Sequence, residues 1–282
     1  MKNAFYSLLD KDFYVGLKLV NEKFQEAGIR DLMLIGGTAT QAHILGLMSD
    51  GGQKPIEVLV NKNEVSPRDR IRQTDDYDLS CLCDDPRKVL QAIRSLDKHE
   101  VEYDRDNVFR TDVLRVGEKR PIVKVVSFGG EAIVRMNLLS APQDLERLDQ
   151  AWFSYFVQNP SVTNLNYDGI PLQMRVTKPE HLVSAKLARY APKDMFDIHS
   201  LIDTMEEKGA KFNYAEVKKI LGVECTGKSG CSKDECMELF PFSGRYDAFV
   251  SERKQRAVKE QSLLAKPTPP SQGKAILYID EA

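Results

Sequence analysis

The chain has 282 residues, 42% hydrophobic and 29% charged, and its 40 basic and 42 acidic side chains leave a formal charge of −2. That balance excludes a disordered or membrane-embedded chain, and it supplies no global positive field to draw the protein onto nucleic acid, so any polynucleotide must be gripped locally. The length exceeds the usual single domain, and no apolar run approaches the roughly 20 residues of a membrane-spanning helix. Residues 2–29 mix charged and apolar side chains, unlike an export signal, and the five cysteines are an odd number with Cys81 and Cys83 in an apolar strand pattern. Both features point to a soluble protein of a reducing cytoplasm.

In chain order, residues 10–27 read as an amphipathic helix with Phe13, Leu17, Leu19, Val20 and Phe24 on its apolar stripe. Residues 32–35 form a short apolar strand ending in Gly36-Gly37, and a helix over 38–47 follows, with Thr38 as its N-cap. The stretch 49–72 holds Gly51-Gly52, two prolines and many charges around a short strand over 56–60. Residues 76–82 alternate polar Asp76, Asp78 and Ser80 with Tyr77, Leu79 and Cys81, the pattern of a half-buried strand, and 86–96 read as a helix.

Residues 122–128 and 132–139 flank Gly129-Gly130 and read as a hairpin. Pro142 closes this region, so a soft boundary falls near 141, giving a core of residues 1–141 and a mainly helical unit of residues 142–282. Within the second unit a hairpin turns at Tyr167-Asp168-Gly169, helices cover 179–190 and 192–206, and the Pro-rich 266–274 reads as a linker before an apolar 275–279.

The chemistry concentrates in two places. At Gly36-Gly37-Thr38, missing Cβ atoms let a phosphate approach the backbone, and the N-terminus of the following helix offers N–H donors, although a glycine pair at a strand end serves equally as a plain turn. Along 72–79 the two-residue period puts Arg72, Thr74, Asp76 and Asp78 on one face. Two carboxylates there can share Mg²⁺ with a nucleoside triphosphate, aligning an attacking hydroxyl with the α-phosphorus while pyrophosphate leaves: nucleotidyl transfer. Arg72 is placed to reach phosphate oxygens or brace the carboxylates, with a surface salt bridge as its competing role; for the carboxylates the competing reading is a solvated, acidic strand edge.

Further on, Lys186 and Arg189 share a helix face and are placed to flank a triphosphate, while Asp194 and Asp197 lie three residues apart on the next helix. Asp194 equally suits the positive end of its helix without any substrate role. Cys225, Cys231 and Cys236 lack the spacing of a zinc module, and His43, His99, His181 and His199 are scattered. Arg245, Arg253, Lys254, Arg256 and Lys259 form a basic stretch that reads either as an RNA contact or as a solvated helix.

Two blocks carry a family resemblance. Leu34-Ile35-Gly36-Gly37-Thr38-Ala39 with Arg72-x-Thr74-x-Asp76-x-Asp78-Leu79 resembles the G-G-T-A … R-x-[ST]-x-D-x-D-L signature of AbiEii-type toxins, a branch of the nucleotidyltransferase superfamily. Lys186-Leu187-Ala188-x-Tyr190-x-x-Lys193-Asp194-x-x-Asp197 is similar to that family's second block, K-L-x-A … R-D-x-x-D. The resemblance spans residues 30–205 and implies an α+β fold: a nucleotidyltransferase-type mixed sheet with flanking helices, then a mainly helical C-terminal region that completes the nucleotide site.

It also implies roles. Asp76 and Asp78 would bind metal, Gly36, Gly37 and Thr38 with Arg72, Thr74 and Arg189 would receive the nucleotide, and Lys186, Asp194 and Asp197 would complete the catalytic set. The implied reaction moves a nucleotidyl group from an NTP, with Mg²⁺, to tRNA or protein, in a toxin countered by an antitoxin protein. An antibiotic-type small-molecule adenylyltransferase and a non-catalytic nucleotide- or partner-binding relative are the alternatives.

Three departures from the family pattern stand out. The glycine pair lies unusually far from the Asp pair, so 49–70 resemble an insertion near the site. Asn137 occupies the position of a third carboxylate, and an amide binds Mg²⁺ less well. Lys193 stands where the second block has arginine.

Overall fold

The computed structural model describes residues 6–66, 70–74, 76–83, 85–96, 101–103, 108–111, 122–128, 156, 159–223 and 242–264. Helix α1 (Lys11–Glu26) forms because Phe13, Leu17, Val20 and Phe24 recur at helical spacing, and all four are fully buried. Its placement is fixed by two buried phenols. Tyr77 donates to the Phe13 carbonyl at 2.6 Å, with the two rings 4.3 Å apart, and Tyr14 donates to the Ile170 carbonyl at 2.8 Å.

The strand β1 (Met33–Leu34) is two residues long and leads directly into α2 (Gly36–Met48). A short helix α3 (Ile56–Asn61) precedes β2 (Asp76–Leu82), and α4 (Pro86–Arg94) follows, capped by Asp85, whose carboxylate accepts from the Arg87 N–H. Then come β3 (Val101–Tyr103), β4 (Val108–Thr111) and β5 (Ile122–Phe128). The hairpin β6 (Ser161–Tyr167) and β7 (Ile170–Val176) turns on Asp168 and Gly169, with φ of 50° and 75°, a two-residue turn whose positive φ angles suit the strand twist. Helices α5 (Pro179–Arg189), α6 (Pro192–Glu207), α7 (Tyr214–Val223) and α8 (Phe242–Leu264) complete the order.

The seven strands of the described residues form one mixed sheet of order β3-β4-β5-β2-β1-β7-β6. β2 runs parallel to β5, with Asp76 opposite Ile122 and Leu82 opposite Phe128. β1 pairs antiparallel with β2 and parallel with β7. The sheet therefore draws strands from both sides of residue 141, and the late hairpin sits beside the strand that delivers the glycine pair. The α+β architecture, a mixed sheet with flanking helices followed by a mainly helical region, is the one expected. No helix among the described residues is long and apolar enough to cross a membrane.

Two local expectations are corrected. Residues 56–60 are helical, not a strand: Pro55 ends an extended approach, and the buried Ile56 and Leu59 stand three residues apart, one face of a short helix. Helix α2 begins at Gly36 with Ile35 as its N-cap, so Thr38 lies inside the first turn and does not cap it. Its hydroxyl instead donates to the Asp76 carbonyl at 3.0 Å. The 129–130 turn, the 132–139 strand with Asn137, His99, the three late cysteines, the boundary near 141 and the 266–279 tail lie outside the described residues.

Candidate nucleotide site

The alternation of β2 decides the site. Tyr77, Leu79 and Cys81 are fully buried on one face of β2, so Asp76, Asp78 and Ser80 lie on the other, where Asp78 meets the start of α2. There Gly36 adopts a left-handed φ of 66°, and a Cβ on it would fall 2.3 Å from Asp78 Oδ2. Only glycine allows this carboxylate to lie against the first turn of a helix, whose N–H groups carry partial positive charge. Gly37 is tight for a different reason: its Cβ would meet Arg72 Nη2 at 2.6 Å.

Two threonines hold Asp76. The Thr74 hydroxyl donates to Asp76 Oδ1 at 2.9 Å, and the Thr38 hydroxyl to its backbone carbonyl. Asp76 is buried, so removing it takes away the acceptor of a buried hydroxyl as well as a charge. Thr38, itself buried, acts on β2 through this bond. Its hydroxyl thus positions the strand, while Thr38 itself lies within the first turn of α2.

The second block folds into an elbow of two helices. Pro179 and Pro192 open α5 and α6 at first-turn positions where a missing N–H costs nothing. The elbow brings three cations and two carboxylates together. Arg72 grips Asp197 with a fork, Nε to Oδ1 and Nη2 to Oδ2, both at 3.2 Å. Lys186 Nζ donates to Asp197 Oδ2 at 2.6 Å and lies 3.5 Å from Asp194 Oδ1. Arg189 holds Asp194 with a second fork, Nε to Oδ2 at 2.7 Å and Nη2 to Oδ1.

Lys186, Asp194 and Asp197 are at most 4% exposed, so each needs its partners to be charged there at all. Burial pushes the Asp194 carboxyl up, but the Arg189 fork, the Lys186 charge and the Ala191 N–H together bring it below the ordinary carboxylate range. The Asp194 bond raises the Arg189 guanidinium further, and Asp78 and Asp197 add to that. Arg189 thereby links the elbow electrostatically to Asp78 of β2.

No family model matches the chain, and no curated protein matches it. Among solved structures it is similar to an antigenic nucleotidyltransferase-like protein from Paracoccidioides brasiliensis. That match covers 80% of this chain and 92% of the other, at 18% identity and a TM-score of 0.41.

The residues present fit Mg²⁺ of the nucleotide-borne kind. The Asp76–Asp78 pair supplies two carboxylates at a glycine cradle, and Mg²⁺ commonly takes one or two protein carboxylates and completes its shell with water and phosphate oxygens. Among the described residues no group of three or more His, Cys, Asp or Glu forms a full cage. Arg72 and Arg189, about a third exposed, are the cations open to solvent, whereas Lys186 is enclosed.

One contributor escaped sequence reading. Gln41, buried on α2, accepts from the Leu8 N–H and donates to the Arg72 carbonyl, both at 2.8 Å. Tyr6 and Thr74 exchange two backbone hydrogen bonds beside it. A lone glutamine in an apolar helix carries no motif, and only its four-residue offset from Gly37 hinted at a place near the site.

Other candidates are placed elsewhere. The His43 Nε2–H donates to the Thr177 carbonyl, 2.6 Å away, and burial pushes its imidazole below the ordinary range. On α8, Arg253 pairs with Asp203 and Glu206, and Arg245 donates to the Ala188 carbonyl. These basic side chains fasten α8 to the rest of the protein.

Proposed function

We propose that this protein is a Mg²⁺-dependent nucleotidyltransferase that moves a nucleotidyl group from an NTP to RNA, most simply tRNA, or to protein. The carrying observation is the glycine-only contact between Gly36 at the start of α2 and Asp78 on β2. It seats the Asp78 carboxylate against the first turn of a helix, whose N–H donors and partial positive charge suit a metal-bound triphosphate. Two motif blocks that resemble AbiEii-type toxins, far apart in sequence and joined here through Arg72–Asp197, support the same reading.

In this reading Asp76 and Asp78 hold the metal, oriented by Thr74 and Thr38. The first-turn N–H groups of Gly36 and Gly37, with Arg72 and Arg189, receive the phosphates. Lys186 and the Asp194–Asp197 pair set the two arginines in place. Bound Mg²⁺ would supply charge stabilisation for the departing pyrophosphate and lower the barrier to attack at the α-phosphorus. A cytoplasmic toxin restrained by an antitoxin protein follows from the resemblance, as does a division into a core 1–141 and a mainly helical 142–282 that lends the hairpin β6-β7 to the sheet and completes the site.

Incubation with each α-³²P-labelled NTP, Mg²⁺ and total tRNA or lysate tests it. Label in RNA or protein that vanishes in Asp76→Ala and Asp78→Ala, both still cooperatively folded, is the expected result. Label in a small acceptor would place the protein with antibiotic-type adenylyltransferases. Asn137 favours a second reading, a nucleotide binder without turnover, because it puts an amide where relatives carry a carboxylate. NTP binding with no label in any acceptor decides for that reading.

A further inference from the structure

Tyr190 sits where tyrosine is costly. It is the C-cap of α5 with φ of 55°, in the left-handed region that glycine occupies freely and a bulky side chain does not. Its ring is also left out of the core: Tyr190 is 37% exposed, whereas Tyr6, Tyr14 and Tyr77 are buried. Strain of this kind persists only where the surroundings over-determine it, and it gathers at ligand sites.

The surroundings here are the elbow residues. The Tyr190 N–H donates to the Lys186 carbonyl at 2.8 Å, Arg189 before it grips Asp194, and the Ala191 N–H after it donates to Asp194 Oδ2 at 3.2 Å. The Arg245 guanidinium lies 5.7 Å from the Tyr190 ring centroid and also donates to the Ala188 carbonyl. The ring is thus braced by a cation and anchored through its backbone to the residues that set Arg189.

Resting on the nucleotide reading, we propose that Tyr190 is the platform on which the base of the bound nucleoside triphosphate stacks, next to the arginine that meets its phosphates. An aromatic face accepts every base, so this contact adds affinity for the nucleoside without selecting among the four. It also accounts for an exposed, strained tyrosine at a position where glycine would fold more easily.

Calorimetric titration of the parent, Tyr190→Phe and Tyr190→Gly tests it, using each NTP with Mg²⁺ and, separately, inorganic tripolyphosphate with Mg²⁺. Glycine removes the ring and the backbone strain together, and Tyr190→Asn, also at home in the left-handed region, gives the same comparison if the glycine variant folds poorly. We expect NTP affinity to fall at least about fivefold in Tyr190→Gly, to be retained in Tyr190→Phe, and tripolyphosphate affinity to be unchanged.

Unchanged NTP affinity in Tyr190→Gly overturns the proposal. So does an equal loss for NTP and tripolyphosphate, which would mark the ring as a brace for Arg245 only. A parent that binds neither probe removes the nucleotide reading and the platform with it. A parent that binds both yet transfers nothing removes only the transfer reading, and the platform is still judged by the same comparison.

Discussion

Gly36→Ala is the substitution for which the structure predicts the most. Gly36 has φ of 66°, and an added Cβ would lie 2.3 Å from Asp78 Oδ2 and 3.1 Å from Asp78 Cβ. Gly28 supplies an internal control: it is also left-handed, at 79°, yet a Cβ there meets nothing within 4 Å. Gly28→Ala should therefore report the backbone cost alone, about 1–2 kcal/mol. Gly36→Ala carries that cost plus displacement of the Asp78 carboxylate, which adds roughly 0.5–1.5 kcal/mol if the side chain is driven off its rotamer.

A total of about 1.5–3.5 kcal/mol leaves the variant folded, given the usual stability of about 5–15 kcal/mol. The functional effect should be much larger, because Asp78 is moved from its place beside Asp76. Urea denaturation of both variants gives the stability difference, and ³²P labelling with Mg²⁺ gives the activity. We expect Gly28→Ala to label like the parent and Gly36→Ala to match Asp78→Ala. Equal stability costs with full labelling in both would refute the cradle.

Two further outcomes follow from buried charge. Lys186→Met leaves Asp197 and Asp194 with one partner fewer in an enclosed site and should destabilise the protein by about 3 kcal/mol in urea, at the low end for a broken buried pair because Arg72 and Arg189 remain; a loss below about 1 kcal/mol would make Lys186 a substrate group rather than a structural one. His181, stacked on Phe156 at 4.6 Å, has its imidazole lowered to about 4 by burial and by the Lys178 charge. The unfolded chain takes up that proton below about pH 6.5 and the folded one only near 4, so stability is full above pH 6.5, falls by about 3 kcal/mol as pH drops and levels off near 4. Chemical denaturation at stepped pH should show a slope in the parent that is shallower in His181→Phe by the His181 share, the remainder coming from the buried His43 and His199.

Much of this molecule was legible from residue patterns because they are local. The stripe of α1, the alternation of β2, the Asp168-Gly169 turn and the prolines opening α5 and α6 each follow from backbone geometry within a few residues. The misreadings were local too. At 56–60 a five-residue stretch with four apolar side chains suits a strand or a helix turn, and tertiary burial of Ile56 and Leu59 decided for helix. Thr38 resembled an N-cap because hydroxyls do cap helices, but the hydrogen bond to the Asp76 carbonyl claimed it.

What the sequence by itself determined was which side chains could do chemistry, since period two alone puts Asp76 and Asp78 on one face and period 3.6 pairs Lys186 with Arg189. Their state was decided only by the tertiary structure. Arg72 and Asp197 are 125 residues apart and meet in a fork, and Gly36 matters because Asp78 from another strand lies where its Cβ would be. The burial that turns Lys186, Asp194 and Asp197 into an interlocked network depends on helices packed around them. Pairing, exclusion of water and steric room are properties of segments brought together, and no local pattern encodes them.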